Sequence, residues 1–320
     1  MGIFKAIASS TNPQFIAQIT QQAKGNDQML VTKVVRLLAA HGMVDQIDVD
    51  SYGPNDLTKD LTDTGRVGDK YTMLFSMKAL ADMPYFFREN GYKVATDPKN
   101  TVWQKTYDSR TMFEWLEGNP EQGKYFNARS TNRDELAKLY PFEKLFEGTS
   151  PEDVLFVDVK SFPSSKGRVI LQDLPFVVKG MEIPDVEVTA HDMMTEQPVK
   201  GEFSSTLAGY IPESLTAPGA RAYYFRGVCH DHPDESCRKF LGQIVKAMDQ
   251  NSRVLIHDQL IEDLNPGQYI TRADFVMMSL FAGQERSEAQ MRNLLESVGL
   301  RVVGMHKPGP EQWTITEAML

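Results

Sequence analysis

The sequence predicts an α/β fold preceded by a smaller α-helical part, and three observations carry that prediction. From about residue 150 the chain holds apolar runs of strand length: VLFVDV (154–159), RVILQDL (168–174), SRVLIHDQL (252–260) and LRVVG (300–304). Helical patterns such as SCRKFLGQIVKAMDQ (236–250) and SEAQMRNLLESVG (287–299) lie between them. Continuous apolar strands alternating with helices indicate a parallel sheet covered on both faces. Before residue 63, two helical patterns and a hairpin pattern form a separate group. A chain of 320 residues accommodates one large domain or two modest ones. The polar stretch NARSTNRDELAKLYPFEKLFEGTSPED separates the two textures, and we divide the chain into residues 1–128 and 129–320.

In order along the chain, residues 14–24 and 28–42 read as helices. The second carries a broad apolar face of Met29, Leu30, Val34, Val35, Leu37, Leu38 and Ala39, with Gly42 as terminator. VDQIDVDSYGPNDLTKDLTD, with Gly53-Pro54 at its centre, predicts a short strand, a turn and another short segment. Helix, helix and small hairpin together make the pattern of a winged helix. The run MLFSMKALADMPYFFRENG (73–91) reads as a helix whose Met and Phe residues serve a core or a dimer interface. AYYFRGVC reads as a strand, and Ser287 with Gln290 forms a capping box for the last long helix.

The composition excludes several functions. The net charge of −9 offers no basic face for nucleic acid or an anionic membrane. No apolar run has the length of a membrane span, and the N-terminus has no secretory pattern. Cys229 and Cys237 are the chain's 2 cysteines, too few for a disulfide framework, so a reducing, cytoplasmic setting is expected.

His230-Asp231 follows the strand AYYFRGVC, and residues at such a strand end line the crevice where open α/β sheets bind ligands. A histidine there is suited to take a proton from a phenol or enol, because its pKa lies near working pH. A histidine that merely caps the helix after Pro233 fits the spacing equally well. A metal site built from His230, His232, His257 and Asp258 is the weakest reading, since His-x-His alone is a common chance pattern. We expect no metal.

The stretch RAYYFRGVCHDHPDESCRKF (221–240) resembles the signature of plant- and fungal-type O-methyltransferases that use S-adenosylmethionine. That pattern is a strand, a Lys or Arg, three residues, then His-Asp-Trp-x-Asp-Glu; here the positions are Arg226, His230, Asp231, His232, Asp234 and Glu235. His232 stands where the family has Trp. The resemblance continues through LIHDQLI and MMSLFAGQERSEAQMRNLLESVGL (277–300), which contains the family's Gly-x-Glu-Arg segment. It implies a class I methyltransferase (Rossmann-like) sheet with an N-terminal winged-helix dimerisation domain, hence a homodimer. It implies His230 as general base, with Asp258 and Glu285 holding and polarising the imidazole. For the donor it implies Asp158 at the end of the first strand, Asp173 on the ribose, Asp192-Met193 beside the adenine, and Arg226. The acceptor implied is a phenolic or polyketide-like small molecule.

Two stretches depart from the family. Asp-x-Gly-x-Gly-x-Gly should follow the first strand, yet residues 158–167 read DVKSFPSSKG. Parallel strands need a crossover of a dozen or more residues, so one of the two flanking strands is expected to shift, pair differently or leave the sheet. Residues 201–218, GEFSSTLAGYIPESLTAP, interrupt a junction that is nearly direct in the family. A coding segment skipped at Lys160 and an intron retained near Gly201 would produce both departures, which sequencing the transcript tests. The alternative to methyl transfer is a non-methylating relative that catalyses rearrangements, or a non-catalytic dimer partner.

Overall fold

The computed structural model describes residues 1–24, 27–62, 64–108, 111–127, 139–157, 167–200, 220–307 and 313–320, with backbone course only for 64–75 and 124–127. Two compact units emerge: Met1–Phe75 with Asn119–Thr131, and Ser76–Gly118 with Asn132–Leu320. Residues 76–118 therefore group with the larger unit, where the sequence reading had placed them in the smaller.

The smaller unit contains helices Ile3–Ala8, Ile16–Gln22, Gln28–Ala40 and Asp56–Asp60, with strands β1 (Gln14–Phe15), β2 (Asp45–Asp48) and β3 (Ser51–Gly53). The strands form an antiparallel sheet in the order β1-β3-β2. Its core is Ile3, Ile7, Ile16, Ile19, Val31, Val35 and Tyr52, all buried. The helix expected from residue 14 starts at Ile16, because Gln14 and Phe15 pair with Tyr52 and Ser51 and Gln18 Oε1 accepts the Phe15 amide at 2.8 Å. Gly42, at φ +67°, ends the following helix, and the Met43 amide reaches back to the Leu38 carbonyl at 2.9 Å. The hairpin turn falls at Val49-Asp50, not at Gly53-Pro54. Asp48 Oδ1 accepts the Val49 amide at 2.7 Å, whereas Pro54 has no N–H with which to extend the ladder beyond Gly53.

The larger unit is built on seven strands: β4 (Val154–Val157), β5 (Arg168–Asp173), β6 (Glu187–Ala190), β7 (Ala222–Arg226), β8 (Arg253–Gln259), β9 (Arg301–His306) and β10 (Trp313–Met319). Their order is β6-β5-β4-β7-β8-β10-β9. Neighbours from β6 to β8 run parallel, and β10 is antiparallel to both β8 and β9. The central strands are apolar on both faces because both are covered. On one side Tyr223, Phe225, Val254 and Ile256 pack against Phe240, Leu241, Ile244 and Leu295. On the other, Phe156, Tyr224 and Leu255 pack with Tyr140, Phe142 and Ile315. The expected helices appear as Asp234–Ala247 and Glu288–Glu296, the latter with its Ser287/Gln290 capping box.

Of the displacements expected for the strands flanking the 160–167 segment, loss of a strand from the sheet is overturned. β4 and β5 are parallel neighbours, Val157 opposite Ile170, with one register irregularity between Val154 and Phe156. β4 is wholly buried and also pairs with β7, so leaving the sheet would orphan buried amides. Gly167 permits the tight entry into β5: a Cβ there would lie 2.5 Å from Leu155 Cγ. Residues 158–166 and the 201–218 segment lie outside the described residues, as does Asp158. Among the described residues no helix is long and apolar enough to cross a membrane.

Candidate active site

In this sheet the chain turns back between β4 and β7, and the parallel strands all end on one rim. On that rim stand Asp192 and Met193 just after β6, Asp173 closing β5, Arg226 closing β7, and Asp258 near the end of β8. Such a switch point is where open α/β sheets bind ligands.

His230 reaches the rim through local backbone chemistry. Gly227, at φ +61°, turns the chain out of β7; a Cβ there would lie 3.4 Å from both His230 Nε2 and the Trp313 ring. A short 3-10 turn, Cys229–Asp231, follows, and Pro233 starts the helix Asp234–Ala247. The His230 ring has carboxylates at both nitrogens: Nδ1 is 3.0 Å from Glu285 Oε1, and Nε2 is 3.6 Å from Asp231 Oδ1. Its backbone is held as well, the carbonyl by the Gln284 amide at 3.0 Å. The expectation that Asp258 grips the imidazole is corrected. Asp258 Oδ2 accepts the His230 backbone amide at 3.0 Å; one methylene shorter than glutamate, it stops there.

The electrostatics follow from this geometry. Burial alone would depress the His230 pKa, but the carboxylates of Asp231, Glu285 and Asp258 override it and lift the imidazole to about 10. Burial raises Glu285 and Asp258, and the His230 cation pulls both back. Because Glu285 and Asp231 flank the ring and Asp258 lies on its backbone amide, the ionised His230–Glu285 pair is the form we assign. Burial and the Arg286 cation hold His232 down at about 4, and burial and Arg226 hold His257 at about 3.

The donor-site residues are less closely grouped. Asp173 is half-buried, its Oδ1 accepting the Leu174 amide at 2.7 Å. The His191 amide bonds the Asp173 carbonyl at 2.9 Å and so ties the end of β5 to the segment carrying Asp192. Asp192 is exposed and accepts the Met194 amide at 2.9 Å, while Met193 packs half-buried on the core. The Arg226 guanidinium lies 5.3 Å from the Trp313 ring centroid. The four side chains weighed as metal ligands do not converge: His257 points to the opposite sheet face, its Nδ1 2.6 Å from the Tyr224 hydroxyl. Among the described residues no group of three His, Cys, Asp or Glu side chains is placed to hold a metal ion.

Three site residues were not singled out from the sequence. Asp231 was read only as part of the His-Asp pair. Asp274 Oδ1 accepts the Glu285 amide at 2.8 Å, a contact between residues 11 positions apart that a helix pattern hides. Trp313 packs edge-on with the rings of His230 and His257, with centroids at 6.0 and 5.5 Å. A lone Trp after Gln312 carries no signal of that role; recognising TITEAM as a strand would have supplied one.

The sheet order, with an antiparallel strand inserted next to the edge, and the rim acids define a class I methyltransferase fold. Residues 158–301 match the O-methyltransferase domain family. The chain belongs to the S-adenosylmethionine-dependent O-methyltransferase family, for it is 36% identical over 335 aligned residues to O-methyltransferase gsfD of Penicillium aethiopicum, a match covering 100% of this chain and 80% of that protein. Among solved structures it is similar to one described as "A Pericyclic Reaction enzyme" and to the LepI complex with SAM. Each matches with a TM-score of 0.84 and 26% identity, covering 100% of this chain and 83% of the other.

Proposed function

We propose that this chain is a small-molecule O-methyltransferase acting on a phenolic or polyketide-like hydroxyl, with His230 as the group that takes up the acceptor's proton. The observation that carries the reading is the His230 ring, fixed 3.0 Å from Glu285 at the rim of the sheet. Asp173 closes β5, and Asp192 and Met193 follow its parallel neighbour β6, positions suited to the nucleoside end of the donor. Asp173 would hold the ribose, Asp192 and Met193 the adenine, and Arg226 with Asp158 the rest of the donor. Bound S-adenosylmethionine supplies a methyl group on a cationic sulfur.

His230 must shed its resting proton before it can act as a base. A positive charge brought to the rim favours that loss, because like charges destabilise imidazolium. Glu285 then orients the neutral ring and steadies the cation formed when the acceptor's proton arrives. Asp258 and Gln284 fix the backbone that carries the ring. The smaller unit would serve as a winged-helix dimerisation module.

A second reading is favoured by one observation: residues 158–167 contain Gly167 alone where the family has three glycines. On that reading the chain is a non-methylating relative that retains the acid/base cluster, as the similarity to a pericyclic enzyme suggests. Calorimetry with S-adenosylmethionine, paired with His230→Ala, separates the readings. Donor binding with release of S-adenosylhomocysteine on turnover supports methyl transfer, whereas donor binding without that release supports the second reading. No binding, with turnover lost in His230→Ala, supports the second reading. No binding and no effect of His230→Ala would sink both and leave a non-catalytic dimer partner.

A further inference from the structure

We infer that Arg286 is a positioning residue that clamps the turn carrying His230, so that the ring meets Glu285. The inference rests on the reading of His230 as the proton-transferring group. Arg286 is 1% exposed, among the largest fully buried side chains described. Its guanidinium spends its donors on one short stretch of chain. Nη1 donates to the Cys229 carbonyl at 2.6 Å, and Nη2 to the His232 carbonyl at 2.8 Å. Nε and Nη2 both donate to Asp234 Oδ1, at 3.0 and 2.9 Å. These acceptors bracket His230 and Asp231 from both sides.

The neighbours of Arg286 act on the same turn. The Gln284 amide takes the His230 carbonyl at 3.0 Å, and Glu285 takes the ring. Three consecutive residues thus grip the backbone, the imidazole and the flanking carbonyls. Gly283 lets them approach: a Cβ there would lie 2.1 Å from the His230 carbonyl oxygen. The guanidinium is the one side chain whose rigid fork satisfies three acceptors in fixed directions; a lysine keeps the charge but not the fork.

Positioning and plain charge make opposite predictions for His230. Removing a nearby cation, by itself, raises an imidazole pKa. Releasing the turn separates the ring from Glu285 and Asp231 and lowers it. The test is the titration of His230 in the full-length protein, followed by long-range 1H–15N NMR on 15N-histidine-labelled samples. The chain has 6 histidines, so the resonance is assigned by its loss in His230→Gln. Thermal unfolding is recorded alongside.

In Arg286→Lys and Arg286→Gln the His230 pKa should fall from about 10 by roughly 1 unit or more. An unchanged or raised pKa in a folded variant overturns the inference. Should both variants fail to fold, Asp234→Ala decides. It removes one anchor of the guanidinium at a 40% exposed side chain, and should lower the pKa in the same direction; no change there overturns the inference as well. The titration needs no acceptor or donor. If the proposed function is wrong, His230→Gln leaves turnover intact while the wild-type ring still titrates near its high value. If the clamp is wrong, the Arg286 variants titrate like wild type.

Discussion

Replacing Glu285 by Gln removes a charge 3.0 Å from His230 Nδ1 and keeps a side chain of nearly the same shape. Two unit charges about 4 Å apart interact by roughly 4 kcal/mol at an effective dielectric constant near 20. At about 1.4 kcal/mol per pKa unit that is up to about three units. Asp231, 3.6 Å from Nε2, and Asp258, on the backbone amide, remain. The His230 pKa should therefore fall from about 10 into the range of about 7 to 9. The assay is an NMR titration of the ring, with unfolding temperatures measured in parallel across pH. The sign of the stability effect follows. The folded pKa lies above the unfolded value of 6.5, so this histidine's contribution is fully present below pH 6.5 and is lost as pH rises through about 10. In Glu285→Gln that loss should be complete at lower pH. A variant whose ring still titrates within about 0.3 units of the wild type would refute the assignment of Glu285 as the ring's charge partner.

Gly283→Ala should destabilise the protein by about 3 kcal/mol or more, read as a fall in denaturant midpoint, because the obstructing atoms are backbone of His230 and Asp231 and cannot swing aside. Tyr224→Phe removes a 2.6 Å bond to buried His257 and should cost about 1–3 kcal/mol in urea unfolding, with no change in the His230 titration.

The fold was legible where composition alone dictates pairing. β4 and the Val254–Ile256 part of β8 are continuous apolar runs, and only a sheet covered on both faces accommodates them. β10 was missed because its alternation, TITEAM, follows a Pro- and Gly-containing stretch and reads as a tail. β1 has two residues, and only its partner in β3 makes it a strand. The β4–β5 pairing was not expected, because the 158–167 stretch is shorter than a usual parallel crossover; β4 is nonetheless buried between β5 and β7. In the site, the His230–Glu285 contact spans 55 positions, and no local pattern encodes it. It came from the family resemblance. Asp258, one methylene shorter than the family's glutamate, attaches to the His230 amide and not to its ring.

Three imidazoles around the turn after β7, His257 at about 3, His232 at about 4 and His230 at about 10, leave a wide gap between their transitions. Across roughly pH 5 to 9 none of these rings changes its charge. The turn that carries His230 thus keeps these three charge states over neutral conditions. On the proposed function, a molecule arriving there meets a cationic His230 and must perturb its acidic partners before that ring can accept a proton.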